Sequence, residues 1–247
     1  MRSGGEDLWW ARDVRRVTVF TGAGISTDSG VPDYRGPQGI WTKDPSLADL
    51  FTYENFRADA EVRLRFWQVF AGRQGEVEPN AAHRALAELE ANGKALRVIT
   101  QNVDGLHQKA GSTPRKVVEL HGSLATATCL GCGERTPAAE AIARLPEEPV
   151  CACGGVLKPS VVMFGEYLDQ DVLSLARDIA AASELFLAVG SSLQVEPAAS
   201  LCALAVESGA RLVIVNRDPT PYDGLATALV REPIGTALPG ICAALAS

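Results

Sequence analysis

The stretch RVTVFTGAGIS, residues 16–26, decides how the rest of the chain is read. Its first half is a short apolar run rich in β-branched residues. Its second half is glycine-rich and closes on a serine, which reads as a strand, a tight turn and a helix start. Working outward, similar apolar runs return in ALRVITQN (95–102), KVVEL (116–120), VVMF (161–164), LFLAVG (185–190), RLVIVN (211–216) and LATALV (225–230). They are almost continuously apolar, whereas a strand with one wet face alternates. Ala-rich helical segments separate the later runs. Strands alternating with helices predict an α/β fold, with a doubly wound, mostly parallel sheet covered on both faces.

Three other stretches set the organisation. Residues 31–52 are broken by Pro32, Gly36, Pro37, Gly39 and Pro45, so a mobile loop is expected there and no long regular element. From about Asn55 to Gln74, Val62, Phe66, Val69 and Phe70 recur at helical spacing. A second helix is expected to open near Asn80, run through Ala82, Leu86 and Leu89, and stop at Asn92-Gly93. Residues 123–160 hold four cysteines, several glycines and few apolar runs, which marks an inserted module.

The bulk numbers exclude several classes. A chain of 247 residues with 47% hydrophobic content has room for a core that needs no staples. The net charge is −7 and the pI is near 5.1, so no overall basic field draws in nucleic acid or an anionic membrane. A lysine-rich protein tail would still suit an acidic surface. No stretch approaches the roughly 18 apolar residues of a spanning helix. The start, MRSGGEDLWWARDVRR, mixes acids with its bases and lacks the apolar segment of a secretory signal. A cytoplasmic location is expected.

The six cysteines are 129, 132, 151, 153, 202 and 242. Cys129-x-x-Cys132 and Cys151-x-Cys153 resemble two knuckles that supply four thiolates to one tetrahedral zinc. Gly131, Gly133, Gly154 and Gly155 suit turns whose backbone N–H groups point at sulfur. Four thiolates leave no open coordination position, so such a zinc is structural. A redox dithiol, or buried cysteines without a metal, is the alternative. Cys202 and Cys242, isolated among apolar residues, read as core.

Three further features point to a ligand, and each has a plain structural reading beside it. Gly22 and Gly24 would let backbone amides approach a pyrophosphate at a helix start. The spacing is not G-x-G-x-x-G, because Thr27 stands at the third glycine position, and a ligand-free turn is equally consistent. In TQNVDGLH (100–107), Gln101, Asn102 and Asp104 would sit at the carboxyl edge of the sheet, or merely cap a turn. His121 ends the run KVVEL and precedes Gly122, as a base would or as a hydrogen-bonded structural histidine would.

Taken together, TGAGIS (21–26), GVPDYRGPQGIW (30–41), TQNVDGLH (100–107), HG (121–122), the cysteine pairs, KPSVVMFGE (158–166), GSSLQVEP (190–197) and IVNRD (214–218) resemble the sirtuin family. The resemblance covers about residues 16–231 in the family's order and spacing. The tight C-x-C pair departs from the usual knuckle, and the features do not single out one branch.

The resemblance implies a Rossmann-like NAD-binding domain over 1–35, 80–122 and 160–247, a cofactor loop and helical module over 36–79, and a zinc-binding module over 123–159. It implies that the protein is an NAD-dependent protein-lysine deacetylase, giving nicotinamide, free lysine and O-acetyl-ADP-ribose. Mono-ADP-ribosyl transfer and removal of longer or acidic acyl groups are the alternatives. The expected partners are acyl-lysine proteins, with no direct nucleic acid and no membrane.

Carried over position by position, Gly22, Ala23, Gly24 and Ser26 would line the pyrophosphate site, and Asp33, Tyr34 and Arg35 would lie on the cofactor loop. Gln101 and Asn102 would face the nicotinamide ribose, with Asn102 also catalytic, and Val103 and Asp104 the carboxamide pocket. Gly190, Ser191, Ser192, Asn216, Arg217 and Asp218 would hold the adenosine end. The acyl oxygen would attack C1′ of the ribose as nicotinamide leaves, and His121 would then act as general base through the ribose hydroxyls. Val162, Phe164, Gly165 and Glu166 would wall the substrate peptide, which adds as a strand. Trp67 and Phe70 fall where relatives that prefer succinyl groups carry Tyr and Arg, so an uncharged acyl group is expected.

Overall fold

The structure is a computed structural model that describes residues 13–34, 36, 39–44, 47–72 and 77–246. Its first half runs β1 (Arg16–Thr21), a 3₁₀ turn (Ala23–Ser29), α1 (Ile40–Lys43), α2 (Leu47–Leu50), α3 (Tyr53–Ala58), α4 (Ala60–Ala71), α5 (Ala81–Ala91), β2 (Ala95–Thr100), α6 (Leu106–Lys109) and β3 (Val117–Glu119). The second half runs β4 (Gly122–Cys129), β5 (Arg135–Pro137), α7 (Ala138–Ile142), β6 (Leu157–Val161), α8 (Gln170–Ala181), β7 (Leu185–Val189), α9 (Leu201–Glu207), β8 (Arg211–Val215), β9 (Ala228–Val230) and α10 (Ile234–Ala246).

Six strands form one sheet in the order β3-β2-β1-β7-β8-β9, and every neighbouring pair is parallel. Both faces are covered, which explains the unbroken apolar runs. Val17, Val19, Leu187 and Val213 face Leu86 and Leu89 of α5 and Leu238 and Ile241 of α10. Phe20, Ile99, Phe186 and Ile214 face Ala176 and Ala180 of α8 and Cys202 and Ala205 of α9. Cys202 and Cys242 are core residues, as expected. None of the described helices is long and apolar enough to cross a membrane.

The run VVMF (161–164) is the expectation that fails. Only Val161 lies in a strand, and that strand, β6, belongs to a separate antiparallel sheet of order β5-β4-β6. Beyond Val161 the apolar side chains serve other ends, with Met163 buried against Phe56, Phe66, Trp67 and Phe70. The helical stretch from Asn55 also divides. Asp59 ends α3 and caps α4, its carboxylate accepting from Glu61 N at 2.7 Å. The helix at Asn80 is as expected, with the Asn80 side chain accepting from Ala82 N and His83 N. In 31–52 the described residues hold two four-residue helices. Residues 234–246, which carry no decisive sequence signal, form α10.

Candidate active site and cysteine cluster

The order of the large sheet reverses between β1 and β7, the place where ligands bind in open parallel sheets. Thr21, Thr100 and Glu119 stand level at the carboxyl ends of β1, β2 and β3, and Thr21 stands level with Val189 of β7. The candidate residues follow directly on these ends, which brings segments far apart in sequence to one edge.

Glycine is required at the crossing of two of these loops. Gly22 N donates to Val189 O (3.0 Å) and Gly24 N to Gly190 O (2.8 Å). A Cβ on Gly24 would stand 2.8 Å from Gly190 Cα, and one on Gly190 would collide with Ile25 N. Gly190 also has φ +64. The glycines therefore let the two loops touch at the switch point. Ala23 opens the 3₁₀ turn, and Ser26 within it is fully buried.

Ser26 joins the 100–107 cluster. Its hydroxyl donates to Asp104 Oδ2 (2.7 Å), while the Asn102 amide donates to Gly22 O (3.1 Å) and Ser26 Oγ (3.2 Å). Asp104 Oδ1 accepts from Leu106 N (3.0 Å), so the capping role and the clustering coexist. Val103 O accepts from Leu124 N (3.0 Å), tying this loop to β4.

His121 has its tautomer set by the chain. Its Nδ1 lies 3.0 Å from Gln101 O. A carbonyl only accepts, so Nδ1 carries the proton and Nε2 carries the lone pair. Burial lowers the imidazole pKa, opposed by the Gln101 carbonyl, and the net shift is downward. Gln101 Nε2 donates to Ser191 Oγ (2.9 Å), and Val162 N donates to His121 O (2.8 Å). One hydrogen-bonded series thus links the loop after β7, the loop after β2, His121 and the segment after β6.

The other candidates lie around this series. Asp33 is half-buried, its carboxylate accepting from Gly36 N (3.0 Å), and Tyr34 beside it is half-buried too. Arg35 lies outside the described residues. Ser192 is half-buried after Gly190 and Ser191. Asn216 follows β8, its amide donating to Asp218 O (2.8 Å), and Arg217 pairs with Asp218 at the surface (2.9 Å). Phe164 and Gly165 are exposed, while the Glu166 carboxylate turns back to Lys158 (3.0 Å).

Sequence reasoning missed a buried polar layer beneath these residues. Thr21 Oγ1 donates to Thr100 Oγ1 (2.8 Å), stands 3.0 Å from His107 Nε2, and Thr100 Oγ1 accepts from Asn102 N (3.0 Å). The ring of His107 meets that of His83 at 4.9 Å between centroids. The signal was present in two strands ending in Thr and in a histidine inside TQNVDGLH, but only the parallel register aligns them. Burial depresses both imidazoles, that of His107 to about 3.

A depressed histidine contributes stability above its unfolded value, and that contribution is lost as pH falls toward the folded value. Stability should therefore fall as pH drops from about 6.5 toward 3 because of His107, by up to roughly 1 kcal/mol per pH unit, with His83 acting in the same direction. Urea midpoints at a series of pH values check this. His107→Asn should flatten the slope, and an unchanged slope would count against the assignment.

The four clustered cysteines also converge. Their Sγ atoms all lie within 4.8 Å of one another, with Cys129–Cys153 at 3.5 Å and Cys132–Cys151 at 3.8 Å. Zinc–thiolate bonds of about 2.3 Å in a tetrahedron require sulfurs roughly 3.8 Å apart. Gly131 N donates to Cys129 Sγ (3.3 Å) and Gly155 N to Cys153 Sγ (3.4 Å), the knuckle bonds expected of these glycines. The backbone at Cys132 and Gly131 holds the Cys129 thiol down at about 7. These residues fit one structural zinc, and the C-x-C spacing does not prevent it.

Comparison with known proteins agrees with this geometry. The model of the Sir2 family matches residues 22–197. NAD-dependent protein deacetylase 2 of Streptomyces coelicolor is 55% identical over 230 residues, covering 91% of this chain and 95% of the relative. NAD-dependent protein deacetylase 1 of Geobacillus kaustophilus is 44% identical over 225 residues, covering 90% of each. A Sir2 variant solved with a deacetylated p53 peptide and 3′-O-acetyl ADP-ribose superposes with a TM-score of 0.87 at 37% identity, covering 97% of both chains. A Sir2 structure with p53 peptide and NAD⁺ gives 0.82 at 37% identity, covering 95% of both.

Proposed function

This chain belongs to the Sir2 family, and from that premise we propose that it is an NAD-dependent protein-lysine deacetylase that releases nicotinamide, free lysine and O-acetyl-ADP-ribose. The observation that carries the reading is the hydrogen-bonded series Ser191–Gln101–His121–Val162, which supports His121 as the base between two candidate binding loops. We assign the NAD-binding part to 1–35, 80–122 and 160–247, the loop and helical module to 36–79, and the zinc module to 123–159.

The residues have distinct tasks. Gly22, Ala23, Gly24 and Ser26 hold the pyrophosphate at the glycine crossing, with Asp33, Tyr34 and Arg35 on the loop over it. Gly190, Ser191, Ser192, Asn216, Arg217 and Asp218 hold the adenosine end. Asn102, fixed through its amide by Gly22 and Ser26, faces the nicotinamide ribose with Gln101, and Val103 and Asp104 border the carboxamide. NAD bound there supplies the ADP-ribosyl acceptor for the acyl group, with nicotinamide as the leaving group. His121 takes the proton on Nε2, because Nδ1–H is committed to Gln101 O. Val162, Phe164, Gly165 and Glu166 wall the peptide. Cys129, Cys132, Cys151 and Cys153 hold a zinc that pins the module and leaves no position for substrate.

An uncharged acyl group follows from the aromatic cluster. Trp67 is buried with its indole N–H on Leu157 O (3.0 Å), and Phe70 packs against it. Among nearby arginines, Arg63 is engaged by Glu148 and by the carbonyls of Phe56 and Arg57, and Arg65 is exposed. Arg73 lies outside the described residues. A succinyl carboxylate buried beside Trp67 and Phe70 would be unpaired, at a cost of several kcal/mol.

Mass analysis of products from acetylated and succinylated copies of one peptide, with labelled NAD, tests both points. The acetyl peptide should react faster and the label should appear in a small O-acyl product. Label fixed on protein would favour mono-ADP-ribosyl transfer, and faster desuccinylation would overturn the acyl assignment. The acidic balance suits basic protein tails, and the site requires neither nucleic acid nor membrane. A cytoplasmic location is part of this proposal.

A further inference from the structure

Lys158 is a cation that the reaction does not use, yet it is buried, with only 8% of its side chain exposed. Burying an ammonium is costly unless its donors are satisfied. Here they are satisfied entirely from one segment. Nζ donates to Val161 O (2.6 Å), to Glu166 Oε2 (3.0 Å) and to Pro159 O (3.3 Å). Glu166 Oε2 also accepts from Met163 N (2.7 Å). The two ends of the 161–166 segment are thus drawn onto a single ammonium.

This segment needs such a tie because the sheet does not supply one. The β4–β6 ladder ends at Gly122–Val161, next to an irregularity in its register. Past that point the described backbone contacts are a turn bond within the segment, Glu166 N to Met163 O (3.0 Å), and bonds from outside the sheet. Val162 N donates to His121 O (2.8 Å), Phe164 N to Phe51 O (2.9 Å), and Tyr53 N to Phe164 O (2.9 Å). The Tyr53 ring lies 5.8 Å from the ammonium. A buried ion pair adds little net stability compared with apolar residues of the same volume. What it does impose is one geometry on the segment that it closes.

We propose that Lys158, through Glu166, is a positioning residue for the acyl-peptide: it secures the Met163–Glu166 turn and so fixes the 161–164 backbone that a peptide strand pairs with. The inference rests on the deacetylase reading above. It assigns the clamp to peptide recognition, separate from the NAD end of the cleft.

Steady-state kinetics on the zinc-loaded full chain, varying acetyl-peptide and NAD in turn, tests it. Lys158→Met should raise the peptide KM by about tenfold or more, the scale of one lost charged hydrogen bond, with kcat within about threefold and the NAD KM within about twofold. Glu166→Gln keeps an acceptor and removes the charge, so a smaller rise in the same parameter is expected if Lys158→Met does not fold. An unchanged peptide KM in the variants that fold, or NAD and peptide KM values rising together, would overturn the proposal. Wild-type protein that turns over no acetyl-peptide would instead defeat the deacetylase reading, before any variant is made.

Discussion

Replacement of His121 by alanine should lower deacetylation by about 10²–10⁴-fold, the usual contribution of a positioned general base. Zinc content and the melting transition should stay close to those of the wild type. The reason is local. His121 follows β3, and its side chain makes one bond, Nδ1–H to Gln101 O. Its backbone carbonyl, which anchors Val162 N, survives the substitution. The lost group is therefore the Nε2 lone pair. His121→Asn is a useful companion, because it restores a donor toward Gln101 without a base. Both variants should be inactive if the proton is the point. The pH profile supplies a second check. A base must be neutral, and burial holds this imidazole below its ordinary value of about 6.5. Activity should persist as pH falls past 6.5 and decline only when it reaches the lowered value. Full activity in His121→Ala would remove the base assignment.

Cys129→Ser should act in the opposite way, through stability first. Zinc binding in such modules is folding free energy, with apparent values of about 10–16 kcal/mol in small zinc peptides at neutral pH. The sulfur sits in a tight place: a Cβ on Gly155 would lie 2.6 Å from it. Cys129 and Cys151 belong to the same buried cluster as Phe56, Phe66, Trp67 and Met163. Loss of the metal should therefore loosen more than the knuckles, because that cluster backs the 161–166 segment. Expected results are a variant without stoichiometric zinc, a lower melting temperature and early proteolysis within residues 123–161. A soluble, zinc-free variant with wild-type melting and activity would falsify the structural role.

The two variants separate two kinds of legibility. The four cysteines could be read as ligands from spacing alone, since short loops bring paired thiolates together whatever surrounds them. His121 could not be read that way. A lone histidine after an apolar run has no local mark of chemistry, and only the resemblance singled it out. The structure adds the reason that it can serve, which is the carbonyl that fixes its tautomer. Lys158 enters the sequence reading only as the first residue of the motif KPSVVMFGE (158–166). Its burial, and the pairing with Glu166, depend on how β6 leaves its sheet.

By itself, the sequence determined the parallel sheet, the helix at Asn80, the cysteine cluster and the family resemblance. Each of these is written in local pattern: apolar runs, a capping residue, ligand spacing, ordered motifs. The tertiary structure decided that VVMF leaves the large sheet, that Gly24 and Gly190 need each other's missing side chain, and that Thr21, Thr100 and His107 form one buried layer. These depend on register and on the close approach of distant segments. Neither is encoded in the spacing of neighbouring residues, because packing joins positions that the chain holds far apart.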